Sequence, residues 1–363
     1  MKLALVVALA LFAPQEKNPK PLPIGAAAPD FDVPGVDGKR YSLKDFAEKK
    51  LLLVLFDTVH CPTSQLYEER IKKIVDDYKD KGVGAISISP NHPKSLRLDE
   101  QAYTDLDDTF ESMKIRARDH KFNFPFCFDG EPNTTSQTYG PKATPHAFLF
   151  DEERKLRYEG GVDDSEWPDR VKIHHLRNAI EAVLAGKDVP ATGTRVFGCS
   201  TKWPNKQKEV EAYNARVAKE EVTLKTDPAA FRELYKATTG YPLLIHIWSK
   251  GDPSQLKTVA ELHHIYRNRK ARVVTLAVGA AGDEEAVLAE LKKQPSSHLN
   301  LLLDREKVKE AVADWDGQQL PFTVLLKVGN RREDCYRKQG ALDDVLQLRR
   351  QIVAGLDWED RKK

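Results

Sequence analysis

Thr58, His60, Cys61, Pro62, Thr63 and Ser64 stand together in one short stretch, and only one of them is a strong nucleophile. Cysteine attacks as the thiolate, so its surroundings decide whether Cys61 is reactive or merely a small buried hydrophobe. The polar company favours reactivity. A thiol at the start of a helix faces unpaired N–H groups and the positive end of the helix dipole, which lower its pKa from the free value of about 8.5. Thr63 and Ser64 are expected to offer hydroxyl hydrogen bonds to the sulfur, and Pro62 suits a first helical turn because its missing N–H costs nothing there. His60 has two readings of equal weight: a cation or proton relay beside the thiol, or a surface donor.

Serine at position 64 cannot resolve a mixed disulfide, so a second sulfur must come from elsewhere. Cys199, in Phe197-Gly198-Cys199-Ser200-Thr201, is the best partner, since a glycine-flanked tail could carry it to Cys61. A structural or unpaired role for Cys199 stays open. Cys127 lies among aromatics in Phe124-Pro125-Phe126-Cys127-Phe128 and is expected to be buried and inert, and Cys335 is read as structural.

The elements that must position this chemistry follow from periodicity. Lys50 to Phe56 reads as a buried strand, Gln65 to Lys81 as an amphipathic helix and Val83 to Ser89 as a second buried strand. A polar stretch runs from Pro90 to Lys121. Strands at 147–151 and 156–161 and a helix at 171–184 complete the first half. The second half repeats the alternation: strand 242–248, helix 256–269, strand 272–279, helix 284–293, strand 299–303, helix 307–314, then a hairpin of 322–328 with 334–338. Alternation of this kind predicts α/β layers in both halves. A charged linker, with helical character, is expected between them at 203–220.

A chain of 363 residues is long enough for about two domains, and 57 basic against 55 acidic residues leave no net field to attract nucleic acid. Met1-Lys2, the apolar or small run Leu3 to Ala13 and the polar residues after it match a secretory signal. That run is too short for an ordinary transmembrane helix of about 20 residues. The expected location is therefore secreted or periplasmic, without stable membrane insertion after cleavage, and residues 14–24 read as a linker. Adjacent histidines at 174–175 and 263–264 point about 100° apart on a helix, so no metal site is expected, and no other cofactor is.

Thr58-Val59-His60-Cys61-Pro62-Thr63 resembles the Thr-x-x-Cys-Pro-Thr core of peroxiredoxin-like redoxins of the thioredoxin-like superfamily. The likeness extends through Phe124 to Asp129, Tyr139 to Pro145 and Phe148 to Asp151 as far as Gly198 to Trp203. It implies an α/β fold of two thioredoxin-like domains, each a central mixed sheet flanked by helices, with residues 25–202 as the redoxin domain. It also implies a thiol oxidoreductase in which Cys61 attacks a peroxide or a protein disulfide, Thr58 helps polarise the reacting atom, and Cys199 or an external thiol reductant completes the cycle. Thr144-Pro145 resembles the cis-proline turn facing the reactive cysteine, where an extended substrate can pair with the backbone. Val54 stands where peroxiredoxins usually carry proline, and no arginine stands at Thr144, which weakens the peroxidase expectation. Residues 221–357 resemble thioredoxin as a silent copy: the turn Ser249-Lys250-Gly251-Asp252-Pro253 has no cysteine, while Leu320-Pro321 repeats the proline position. A redox-inactive binding or adaptor protein and a thiol redox sensor are the alternatives.

Overall fold

The structure is a computed structural model that describes residues 18–312, 315, 319–327 and 333–356, with only the backbone at 333–335. The signal segment at 1–13 and the first residues of the 14–24 linker lie outside the described residues.

Six consecutive apolar residues make Leu51–Phe56 a strand buried on both faces, the pattern of a central strand covered by helices on each side. Its period of two divides the core. Leu51, Leu53 and Leu55 join one apolar cluster, whereas Leu52, Val54 and Phe56 join another on the opposite face. The strand is parallel to Val83–Ser89 and antiparallel to His146–Phe150. The sheet runs Phe126–Phe128, Val83–Ser89, Leu51–Phe56, His146–Phe150, Leu156–Gly160.

Helix Pro62–Tyr78 follows the central strand directly, with Pro62 in its first turn. Tyr67, Ile71, Ile74 and Tyr78 lie on one stripe and pack on the Leu51-Leu53-Leu55 face. Each such side chain, fully buried, stabilises by about 1.5 to 3 kcal/mol, so the stripe fixes where the helix, and hence its first residue, must sit.

The second sheet has the same order and senses: Leu299–Leu303, Arg272–Val278, Pro242–Ser249, Phe322–Lys327, Glu333–Gln339. The first three strands are mutually parallel, and Phe322–Lys327 runs antiparallel to both of its neighbours. Leu243, Ile245 and Ile247 face one cluster, while Leu244 and Trp248 face two others. The expected α/β class, with a mixed sheet and flanking helices in each half, is what the fold contains.

Several local expectations shift. The polar stretch 90–121 contains a helix not assigned from the sequence: Thr109 caps helix Phe110–Asp119, its hydroxyl accepting from the Ser112 N–H at 3.3 Å, and Met113 is fully buried. Charged residues on the rest of that helix hid its apolar stripe. Within 203–220, Gln207–Val217 is helical and packs rather than floats, with Tyr213 buried beneath Arg267. Cys335 lies on strand Glu333–Gln339, and its side chain is outside the described residues.

Candidate active site

Cys61 caps helix Pro62–Tyr78, and its sulfur is fully buried. Two backbone N–H groups donate to that sulfur, from Ser64 at 3.5 Å and from Cys199 at 3.3 Å. In its thiol form Cys61 donates to the Thr144 carbonyl at 3.2 Å, so the proton has an acceptor at hand. Burial opposes ionisation, yet the Cys199 thiol, the His60 charge and the two N–H groups together hold the Cys61 thiol well below its ordinary range. Cys199 is pushed in the opposite direction by its hydrogen bond to Cys61 and by burial. The two neighbouring thiols are thus shifted in opposite directions.

His60 is buried rather than a surface donor. Its backbone N–H donates to Asp108 Oδ1 at 2.8 Å and its Nδ1 lies 2.6 Å from Oδ2 of the same carboxylate. Asn91 donates to Asp108 at 2.7 Å and accepts the Lys202 N–H at 2.8 Å. Burial alone would lower the His60 pKa, but Asp108 outweighs it and raises it, while Asp108 is held below the usual carboxylate range by the same contact against its own burial. The remaining ring nitrogen, Nε2, is buried with no protein partner. On the other side, burial pushes the Asp57 carboxyl up to about 7, only partly offset by the Ser64 hydroxyl and the Thr58 N–H. Cys61 thus sits between an imidazole that Asp108 holds toward its charged form and a carboxyl that can carry a proton near neutrality.

The other expected residues fall into two groups. Thr58 and Thr144 come together, their hydroxyls 3.1 Å apart, and the Thr144–Pro145 peptide bond is cis. Thr63 does not reach the sulfur: its hydroxyl donates to Glu166 at 2.7 Å. Ser64 contacts the sulfur through its N–H, because at the third helical position the backbone points at the cap and the hydroxyl points away. Cys199 is not on a loose tail. Cys199–Ser200 pairs antiparallel with Ala143–Thr144, Thr144 opposite Cys199, which brings the second sulfur to the first. Gly198 permits this approach. Its φ is +131°, and a Cβ there would lie 1.8 Å from the Thr144 carbonyl oxygen.

Asp57, Asn91 and Asp108 were not singled out in the sequence, and Gly198, read there as loosening a tail, instead permits a close approach. Asp57 could have been, since a carboxylate ending a wholly apolar strand must be buried or turned outward. Asp108 and Asn91 gave no signal, because they lie in a polar stretch where acids and amides are ordinary. Cys127 is fully buried, and burial pushes its thiol up to about 12, so it is inert as expected. Glu220, His263 and His264 do gather, with ligand atoms within 4.8 Å of one another. Glu220, however, already pairs with Arg267 and accepts the Ser297 N–H at 3.1 Å, so its carboxylate is committed.

This arrangement, a thiol capping the helix after a central strand and facing a cis-proline, defines a thioredoxin-like redoxin site. Residues 24–159 match the AhpC/TSA family, and this part of the chain is a thioredoxin-like redoxin domain. The chain is 28% identical over 148 residues to the thiol-disulfide oxidoreductase ResA of Bacillus cereus (strain ATCC 10987 / NRS 248), covering 41% of this chain and 73% of that protein. It is 27% identical over 139 residues to peroxiredoxin Bcp of Escherichia coli (strain K12), covering 38% and 85%. A crystal structure of a hypothetical protein from Sinorhizobium meliloti 1021 shares 32% identity, covers 52% of this chain and 98% of its own, and superposes with a TM-score of 0.44. No helix among the described residues is long and apolar enough to cross a membrane.

Proposed function

We propose that the protein is an exported dithiol oxidoreductase in which Cys61 is the nucleophile and Cys199 the resolving thiol. The observation that carries this reading is the pairing of Thr144 with Cys199, which places the Cys199 N–H 3.3 Å from the Cys61 sulfur while both cysteines are free.

The Cys61 thiolate attacks one oxygen of a hydroperoxide, releasing the alcohol and leaving a sulfenic acid. The Cys199 thiol then condenses with it, releasing water and forming the Cys61–Cys199 disulfide. With a protein disulfide as substrate, Cys61 forms a mixed disulfide and releases one thiol, and Cys199 displaces the other. Both routes end in the same intramolecular disulfide, which an external thiol reductant returns to the dithiol. His60 stabilises the attacking thiolate by charge, and the paired Thr58 and Thr144 hydroxyls stand where a reacting oxygen or sulfur can be polarised. Thr63 anchors the helix start to Glu166, and Thr144 and Pro145 offer the backbone edge for substrate. The apolar segment at 3–13 after Met1-Lys2 supports export to a secreted or periplasmic location, where such a couple can cycle.

Stoichiometric peroxide, or separately an oxidised small dithiol, followed by mass spectrometry of a non-reduced digest, tests the cycle. A Cys61–Cys199 crosslink is expected with both oxidants. Sulfenic acid accumulating at Cys61 while Cys199 stays free would leave a one-cysteine mechanism and remove Cys199 from it.

A further inference from the structure

The cysteine-free turn of the second half is accompanied by a grip on the loop that carries Asp108. Ala102, in that loop, is 1% exposed and belongs to the same apolar cluster as Leu262, Tyr266 and Leu348 of the second half. Two residues on, the Thr104 carbonyl accepts from Arg349 at 3.2 Å and from the Tyr266 hydroxyl at 3.3 Å. Arg350 then pairs with Asp105 at 3.0 Å and with Asp119, at the end of the next helix, at 2.6 Å. Leu346 packs on the cluster of Val59, Leu106, Met113 and Phe126, and Val59 adjoins His60. The loop ends at Asp108, which holds His60 by two contacts. Its other end reaches the second cysteine's segment, since Glu100 pairs with Lys202 at 2.5 Å.

We propose that the second half is an intramolecular clamp on the active site, with Arg349, Arg350 and Tyr266 as positioning residues that fix Asp108 against His60 and so maintain the reactive state of Cys61. None of the three contacts the Cys61 sulfur. Their effect passes through the backbone of 104–108, whose register decides whether the Asp108 carboxylate meets the His60 ring and N–H together. A hydrogen bond of this kind tolerates only a few tenths of an ångström, so a loop freed at Thr104 and Asp105 would lose the bidentate contact first. The ionisable groups around Cys61 are His60, Asp57, Asp108, Cys199 and Lys202, and only Asp108 is borne by the clamped segment. The inference rests on Cys61 being the reactive thiol.

The test is the pH dependence of Cys61 alkylation in the full-length reduced protein. An Arg349→Ala/Arg350→Ala variant should show a midpoint raised by about half a unit or more, slowing labelling about threefold at pH values below both midpoints. Hydrogen exchange should become faster at 98–108 while the strands Leu51–Phe56 and Val83–Ser89 keep their protection. Arg350→Lys should restore part of the shift. In an Asp108→Asn background the same double substitution should add nothing further to the midpoint, because the route is already cut. A clamp variant whose loop exchanges faster yet whose midpoint is unchanged overturns the inference, as does a full additional shift in the Asp108→Asn background. If the double variant fails to fold, Leu346→Ala is measured with the same outcomes. A wild-type midpoint no lower than a free thiol's would instead defeat the functional reading itself.

Discussion

The two halves share a sheet order and a cis-proline beside the central strand, at Pro145 and at Pro321, but differ in what meets at the turn after that strand. In the first half Leu51–Phe56 leads within five residues to a thiol capping a long helix, with a carboxylate-held histidine before it and a paired strand over it. In the second half Pro242–Ser249 leads to Asp252, whose carboxylate accepts from the Ser254 N–H and hydroxyl, and the helix starts only at Leu256. The fold supplies a place for chemistry, and the side chains from distant loops decide whether any occurs. The histidines make the same point. His60 is held toward the charged form by Asp108, whereas burial pushes His246 down to about 4, with its Nδ1 on the Thr323 hydroxyl at 2.8 Å.

The sharpest way to break the comparison is to move the cysteine. Cys61→Ser should lower turnover by more than about a thousandfold, since serine is a far weaker nucleophile at neutral pH. Gly251→Cys places a thiol at the second half's turn, where a Cβ meets nothing closer than 3.9 Å. It should label with a midpoint near the free value of about 8.5 and support no turnover. A depressed midpoint for that introduced thiol would mean that the turn alone, without the His60–Asp108 pair, activates a cysteine.

Acid should separate the halves next. Burial pushes His246 and His298 down to about 4 and His263 to about 3, so in the second half protons bind the unfolded chain first. Its stability should therefore fall as pH drops from about 6.5 toward 4, by an amount on the order of a few kcal/mol. In the first half His92 and His146 pull the same way, but His60 and Asp57 have raised values, and groups that bind protons more tightly when folded gain stability on acidification. Hydrogen exchange at about pH 5, inside that window, should show Pro242–Ser249 opening while Leu51–Phe56 stays protected. Simultaneous opening of both strands would contradict this account.

Two glycines give a smaller contrast. Gly198→Ala should cost more than about 2 kcal/mol, because the positive φ is compounded by overlap with the Thr144 carbonyl, and it should slow closure of the Cys61–Cys199 disulfide. Gly340 also has a positive φ, +76°, but a Cβ there meets nothing within 4 Å, so Gly340→Ala should cost only about 1 to 2 kcal/mol. Equal losses in urea denaturation would show that the close approach at Gly198 is relaxed at little cost.

The smallest effect concerns the histidine pair. Asp108→Asn should raise the Cys61 alkylation midpoint. It should also lower stability, most of all between the depressed Asp108 value and the raised His60 value: above the former the carboxylate is charged, below the latter the imidazolium is. Thermal melts from about pH 3 to 9 should show the deficit narrowing at both ends. A deficit independent of pH would make Asp108 a purely neutral hydrogen-bond partner.

Much of the fold was legible because long apolar runs state their own burial. Leu51–Phe56 is wholly apolar, and Val83–Ser89 and Leu299–Leu303 are broken only by glycine, serine or asparagine, so each states that it lies inside, which is enough to make it a strand. Cys61 was legible as well, since strand, cysteine, proline and helix are contiguous. Helix Phe110–Asp119 and the short pair Ala143–Thr144 with Cys199–Ser200 were not, because their stabilising contacts come from elements far along the chain.

The sequence by itself determined the alternating layers, the thiol at a helix start, the absence of any cysteine at the second turn and the inert setting of Cys127. These depend on neighbours within a few positions, where periodicity and side-chain type act directly. Tertiary structure alone decided that Thr63 turns to Glu166 and that Asp108 claims His60. It also decided that Cys199 pairs beside Thr144 and that Arg349 and Arg350 hold the loop between them. Those outcomes depend on contacts spanning tens to hundreds of residues, whose closure is set by how two cores pack and leaves no mark on local sequence.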